Sequence, residues 1–173
     1  MIVILGESGS GKSYIEKELC KNGYDRIISY TTRPIRENEI DGVDYHFVSE
    51  SYFRFLKEDN FFAESTQYNS WYYGIAKKDC LDNKIVVVEP YGFRQLKSID
   101  DLNITSFYIK VPEHERAKRM IDRKDNLLEV FRRLFSDQGV FLGVENEVDY
   151  IVNNENFQGL EQILNILKGA KYE

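Results

Sequence analysis

The chain has 173 residues, 42% hydrophobic and 30% charged, which suits one folded domain with a real core and excludes a disordered chain. Its formal net charge of −6 argues against general affinity for nucleic acid or for a membrane surface, since both need a positive field. No apolar run approaches the ~18–20 residues that span a bilayer, residues 1–5 are too short and lack the basic leader of a secretion signal, and Cys20 and Cys80 show no metal or redox spacing, as expected of a reduced, cytoplasmic protein.

Taken in chain order, short β-branched runs alternate with helical stretches. Residues 2–5 read as a buried strand, followed by a glycine-rich turn and a helix over 12–21. Residues 26–29 form a second short strand. Strands at 45–48 and 61–65 flank a helix that Ser49 caps and that ends near residue 60. A strand at 72–74 and a short helix stopped by Asn83 come next. The apolar runs 85–88 and 106–111 have the character of central parallel strands. Pro112 starts a helix to about residue 123, a break at 124–126 leads into another helix to about 142, and a strand at 148–152 precedes a closing helix at 157–167. Such alternation predicts an α/β fold with a central parallel sheet covered on both faces. Residues 31–83 break the rhythm, being rich in Tyr and Phe with closely spaced strands, and read as an inserted subdomain. Phe53, Phe55, Phe61 and Phe62 are expected in its core.

Gly6-Glu7-Ser8-Gly9-Ser10-Gly11-Lys12-Ser13 fits the phosphate-loop pattern G-x-x-x-x-G-K-[ST], between a predicted strand and a predicted helix. The glycines let backbone N–H groups curl into an anion-sized nest at a helix N-terminus. Lys12 can then reach the β- and γ-phosphates of a nucleoside triphosphate, and the Ser13 hydroxyl can ligate Mg²⁺. The loop names the donor but not the acceptor.

Residues 29–49 carry the second signal. Thr31-Thr32-Arg33, Arg36, Glu39, Gly42, Tyr45 and Phe47 match the pattern T-T-R-x-x-R-x-x-E-x-x-G-x-x-Y-x-F, and the stretch resembles the guanylate kinase family. Arg33, Arg36 and the Tyr45 hydroxyl suit a dianionic phosphate, through charge-assisted hydrogen bonds. The resemblance extends over nearly the whole chain and implies a three-layer P-loop kinase fold. Its parts would be a core of residues 1–30, 84–118 and 137–173, a monophosphate-binding insert at 31–83, and a helical lid at 119–136. Tyr72-Tyr73-Gly74 resembles the segment whose second tyrosine meets the acceptor phosphate. By the same resemblance Ser29, Glu64 and Glu89 read guanine, whose N1–H and 2-amino group give the carboxylates the donors that adenine lacks.

Between Lys110 and Arg133 eight Lys/Arg stand against five Asp/Glu, a basic stretch in an acidic protein. The resemblance makes Arg119, Arg123 and Arg133 lid arginines that close over the triphosphate and stabilise the migrating phosphoryl group. Arg116 and Arg132 are expected to be solvated. Asn153 falls where the family's strand end runs near the adenine of ATP.

Three positions depart from the family. Ile75 stands in place of a hydroxyl that contributes to guanine recognition, Val87 in place of an aspartate, and Glu7 in place of the loop's proline, adding a negative charge beside an anion site. The implied activity is ATP- and Mg²⁺-dependent phosphorylation of GMP or dGMP, with small-molecule nucleotides as the partners. Ile75 keeps open a different acceptor, another nucleotide or a phosphorylated sugar. A non-catalytic phosphopeptide-binding module is a further alternative, against which Lys12 and Ser13 stand.

Overall fold

In the computed structural model, which describes residues 1–68 and 70–169, the core is a five-stranded sheet. Its strands are β1 (Ile2–Leu5), β2 (Asp25–Arg26), β7 (Lys84–Val87), β8 (Thr105–Lys110) and β9 (Tyr150–Asn153), ordered β2-β7-β1-β8-β9 and all parallel. β1 lies in the middle, and all four of its residues are buried, which is why its sequence is apolar without alternation. Its side chains still alternate between faces. Ile2 and Ile4 pack with Ile15 and Leu19 of α1 (Lys12–Lys21) and with Ile163 and Leu167 of α6 (Gly159–Gly169). Val3 and Leu5 pack on the other face with Phe93 and Leu96 of α3 (Pro90–Lys97) and with Phe141. The result is three layers around one sheet.

The insert builds a second sheet from β3 (Tyr30–Thr31), β4 (His46–Phe47), β5 (Phe62–Tyr68) and β6 (Trp71–Ala76), ordered β4-β3-β6-β5. α2 (Glu50–Glu58) closes one side, and the Ser49 side chain accepts from Tyr52 N–H at its start. Phe53 stacks on Phe62 and Tyr72, with Phe61 packed beside them. Phe55 does not join this core. It is exposed, because on a helix whose buried residues are Phe53 and Leu56 it lies on the opposite face.

Two elements escaped the sequence pattern. β3 is only two residues long and pairs with β4 and β6. α3 is the other, although Pro90 at its first helical position is a start signal. α3 joins the two sheets: Gln95 donates to Ser65 C=O and accepts from Ser65 N–H, each at 3.2 Å. The short helix before Asn83 is a single 3-10 turn, Lys77–Asp79. Cys80 follows that turn while Cys20 lies in α1, and both are free.

Above the phosphate loop stand α4 (Glu113–Asp122) and α5 (Leu127–Val140), packed through Met120, Val130 and Leu134. The Asn126 side chain caps α5 by accepting from Leu128 and Glu129 N–H.

Candidate active site

The loop between β1 and α1 needs its glycines. Gly9 has φ +81°, and a Cβ there would lie 2.7 Å from the carbonyl oxygen of Arg116; Gly11 has φ +97°. Lys12 is half-buried, and its ammonium donates to the carbonyls of Gly6 and Glu7. Burial lowers its pKa, and the neighbouring carboxylates of Glu89 and Asp137 work against that fall. Asn154 holds the loop from behind, donating to Ser10 C=O at 2.8 Å and accepting from Gly159 N–H at 3.1 Å.

Lys12 and Ser13 share a cavity of about 620 Å³ with Ser8, Gly9, Gly11, Tyr14, Phe157 and the three arginines Arg119, Arg123 and Arg133. Arg119 donates to Asn154 C=O and Glu155 C=O at 2.6 and 2.8 Å and stacks 4.2 Å above the Phe157 ring. Arg123 pairs with Asp125, and Arg133 with Glu129 and Asp125.

Glu7 does not add charge to this cavity. Its carboxylate turns the other way, accepting from Arg116 at 3.0 Å and from the Tyr108 hydroxyl at 3.1 Å. Arg116 also reaches Asp137, whose Oδ2 accepts from Ser8 N–H at 2.7 Å. The expectation of a solvated Arg116 is therefore overturned: its side chain is 2% exposed because two carboxylates and the Ser8 carbonyl enclose it. Arg132 is exposed and pairs with Glu129. Asn153 and Asn154 part company at the end of β9. Asn153 is exposed and lines a groove on the Glu7 side, outside the Lys12 cavity, while Asn154 turns inward to Ser10. Consecutive residues of an extended chain point opposite ways.

A second cavity, about 290 Å³, is lined by Ser29, Tyr45, Glu64, Thr66, Tyr73, Val87, Val88, Glu89 and Gly92. It therefore gathers five of the residues singled out for the acceptor. Glu64 is 5% exposed, and its Oε2 has no hydrogen-bond partner. Burial raises its pKa to about 7. Glu89 is also raised by burial, with Lys12 opposing. Gly92 sits against Glu64, and a Cβ there would meet Glu64 Oε2 at 2.8 Å.

The arginines of the acceptor pattern stand apart from this cavity. Arg33 is 7% exposed and bound by both nitrogens to Glu39, at 2.9 and 2.6 Å, with Tyr45 and Phe47 beside its guanidinium. Arg36 is exposed; its backbone N–H donates to the same Glu39. Ile75 is wholly buried in the core with Val88 and Phe93 and leaves the cavity wall to its neighbours. Sequence reasoning missed Arg116, Asp137, Asn154, Phe157, Thr66 and Gly92. Only the Asn153-Asn154 pair and the Pro90–Gly92 start signal offered a local hint.

Fold and loop together define the class, a P-loop phosphotransferase of the nucleoside monophosphate kinase kind. The profile of the guanylate kinase family matches residues 1–170. Among known proteins the chain is 35% identical to a guanylate kinase of Sulfurimonas denitrificans, covering 98% of this chain and 87% of that one. It is 34% identical to a guanylate kinase of Campylobacter jejuni, over 99% and 89% of the two chains. The crystal structure of guanylate kinase from Anaplasma phagocytophilum superposes with a TM-score of 0.76 at 25% identity, covering 100% of this chain and 87% of that chain. The chain belongs to the guanylate kinase family.

Proposed function

We propose that the chain moves the γ-phosphoryl group of ATP to GMP or dGMP, giving GDP or dGDP. The observation that carries this reading is the buried, unpartnered Glu64 carboxylate beside Glu89, in a cavity adjoining the phosphate loop. A guanine edge supplies the N1–H and N2–H donors those oxygens lack, and adenine supplies neither.

In this reading the loop from Gly6 to Ser13 cradles the triphosphate, with Lys12 on its terminal phosphates. Arg33, Arg36, Tyr45 and Tyr73 hold the acceptor phosphate once Arg33 shares its guanidinium between Glu39 and the ligand. Ser29, Glu64 and Glu89 read the base. Arg123 and Arg133 move from their carboxylates, and Arg119 from the carbonyls of Asn154 and Glu155, onto the migrating group, and Phe157 offers the adenine a stacking face beside Arg119. The Ser13 hydroxyl fits Mg²⁺, a hard ion that takes its remaining oxygens from phosphate and water, and no cluster of three metal-binding side chains exists among the described residues to hold a resident ion. When bound, the ion neutralises charge between the phosphates. The acceptor oxygen is already anionic, so the chemistry needs positioning and charge stabilisation and no general base. The substrates are free nucleotides, and the cytoplasm is where they are met; no described helix is long and apolar enough to cross a membrane.

The test is ADP formation from ATP and Mg²⁺ with GMP, dGMP, AMP, CMP, UMP and dTMP offered separately. Turnover confined to GMP and dGMP is expected. Turnover on another base, or none with any of them, would overturn the assignment.

A further inference from the structure

Ile75 withdraws from guanine recognition the hydroxyl that the family resemblance places at its position, yet the cavity wall is not short of hydroxyls. Glu64 and Thr66 lie two residues apart on β5, so their side chains share the face that borders the cavity. In the ladder with β6, Glu64 pairs with Ile75 and Thr66 with Tyr73. Thr66 is thus the diagonal neighbour of Ile75, within reach across the pair of strands. The Thr66 side chain is half-buried, lines the cavity, and makes no hydrogen bond among the described residues. By contrast the Ile75 side chain is committed to the core with Val88 and Phe93.

We propose that Thr66 is a specificity-determining residue of this chain, its hydroxyl donating to O6 of guanine, beside the donor edge read by Glu64. This rests on the guanine reading of the cavity. Its reach is that base selectivity is kept without a hydroxyl at position 75, by one supplied two cross-strand pairs along the ladder. A hydroxyl donating to O6 favours guanine over adenine. Adenine presents an amino group there, toward which the hydroxyl can only accept, so the donated hydrogen bond to O6 is lost.

The experiment compares the wild type with Thr66→Val, which keeps shape and removes the hydroxyl, and with Thr66→Ser, which keeps the hydroxyl. Each is assayed with GMP, IMP and AMP, alongside its melting temperature. Loss of one neutral hydrogen bond predicts that Thr66→Val raises KM for GMP about three- to tenfold, with kcat within about twofold. KM for IMP should rise by the same factor, because IMP keeps O6 and N7 and lacks only the 2-amino group. Thr66→Ser should restore wild-type KM. An unchanged KM in Thr66→Val, or a Thr66→Ser variant as weak as Thr66→Val, would overturn the proposal and leave the guanine reading standing. A lower melting temperature with kcat and KM both degraded for every nucleotide would overturn it as well, in favour of a packing role. Absence of GMP turnover in the wild type would remove the guanine reading and this role with it.

Discussion

At the scale of single residues, the two cavities divide the chemistry between the Lys12 ammonium and the buried Glu64 carboxyl group. Lys12 is the group whose loss should reach the transition state. Lys12→Ala is expected to lower kcat by about 10³-fold or more, the order found when a phosphate-directed cation is removed. Arg36 is exposed and outside the cavity, so Arg36→Ala should mainly raise KM for the acceptor. Steady-state kinetics on the two variants separates these outcomes. Glu64 gives a pH dependence with a definite sign. Its pKa rises from 4.5 in the open chain to about 7 when buried, so the free folded protein holds a proton that the unfolded chain has lost. Its contribution to stability is complete below about pH 4.5 and lost as pH climbs through 7. Guanine recognition runs the other way, since only the ionised carboxylate accepts from N1–H and N2–H together. Activity on GMP should therefore rise with pH through about 7. Glu64→Gln should remove that rise, lower kcat/KM for GMP by about 100-fold, and melt at a higher temperature than wild type above pH 7. The pH-rate profile and thermal melts at pH 5 and pH 8 check both halves, and the variant retains the titration of the GMP phosphate itself as an internal control.

At the scale of elements, what matters is how the phosphate loop is tied to its surroundings. Asn154 joins it to α6, and Arg116 joins it to α4 and α5 through Glu7 and Asp137. Arg116 compensates two largely buried carboxylates, so its removal leaves them facing each other. Arg116→Ala should cost on the order of 3 kcal/mol, a fall in melting temperature of about 6–12 °C for a chain of this size. Differential scanning fluorimetry is sufficient to see it, and an unchanged melting temperature would restore the solvated reading of this arginine. α3 has the equivalent task for the acceptor cavity: it carries Gly92 against Glu64 and clasps β5 through Gln95.

At the scale of the whole molecule, the Lys12 cavity lies under α4 and α5, and the Glu64 cavity lies where α3 and the second sheet meet the core. Burial of Lys12 near Glu89 couples the two, since each carries a charge that favours the other. ATP with Mg²⁺ at about 100 times its dissociation constant should stabilise the fold by about 2.7 kcal/mol, a rise of about 5–11 °C in melting temperature. Lys12→Ala should abolish most of that rise, which distinguishes loop binding from adventitious nucleotide binding. The sequence by itself determined the layered α/β class, the phosphate loop and the acceptor segment, because each is written in local periodicity or in a contiguous motif. It also pointed to Ser29, Glu64 and Glu89 by register with that motif, and the structure brings the three to one cavity. Only the tertiary structure decided that Arg116 is buried, that Asn154 rather than Asn153 meets the loop, that Arg33 is held by Glu39, and that Thr66 lines the cavity while Ile75 is packed into the core. Those outcomes depend on partners 6 to 144 residues away along the chain, and on which face of a strand or helix meets which neighbour, and neither is fixed by local composition.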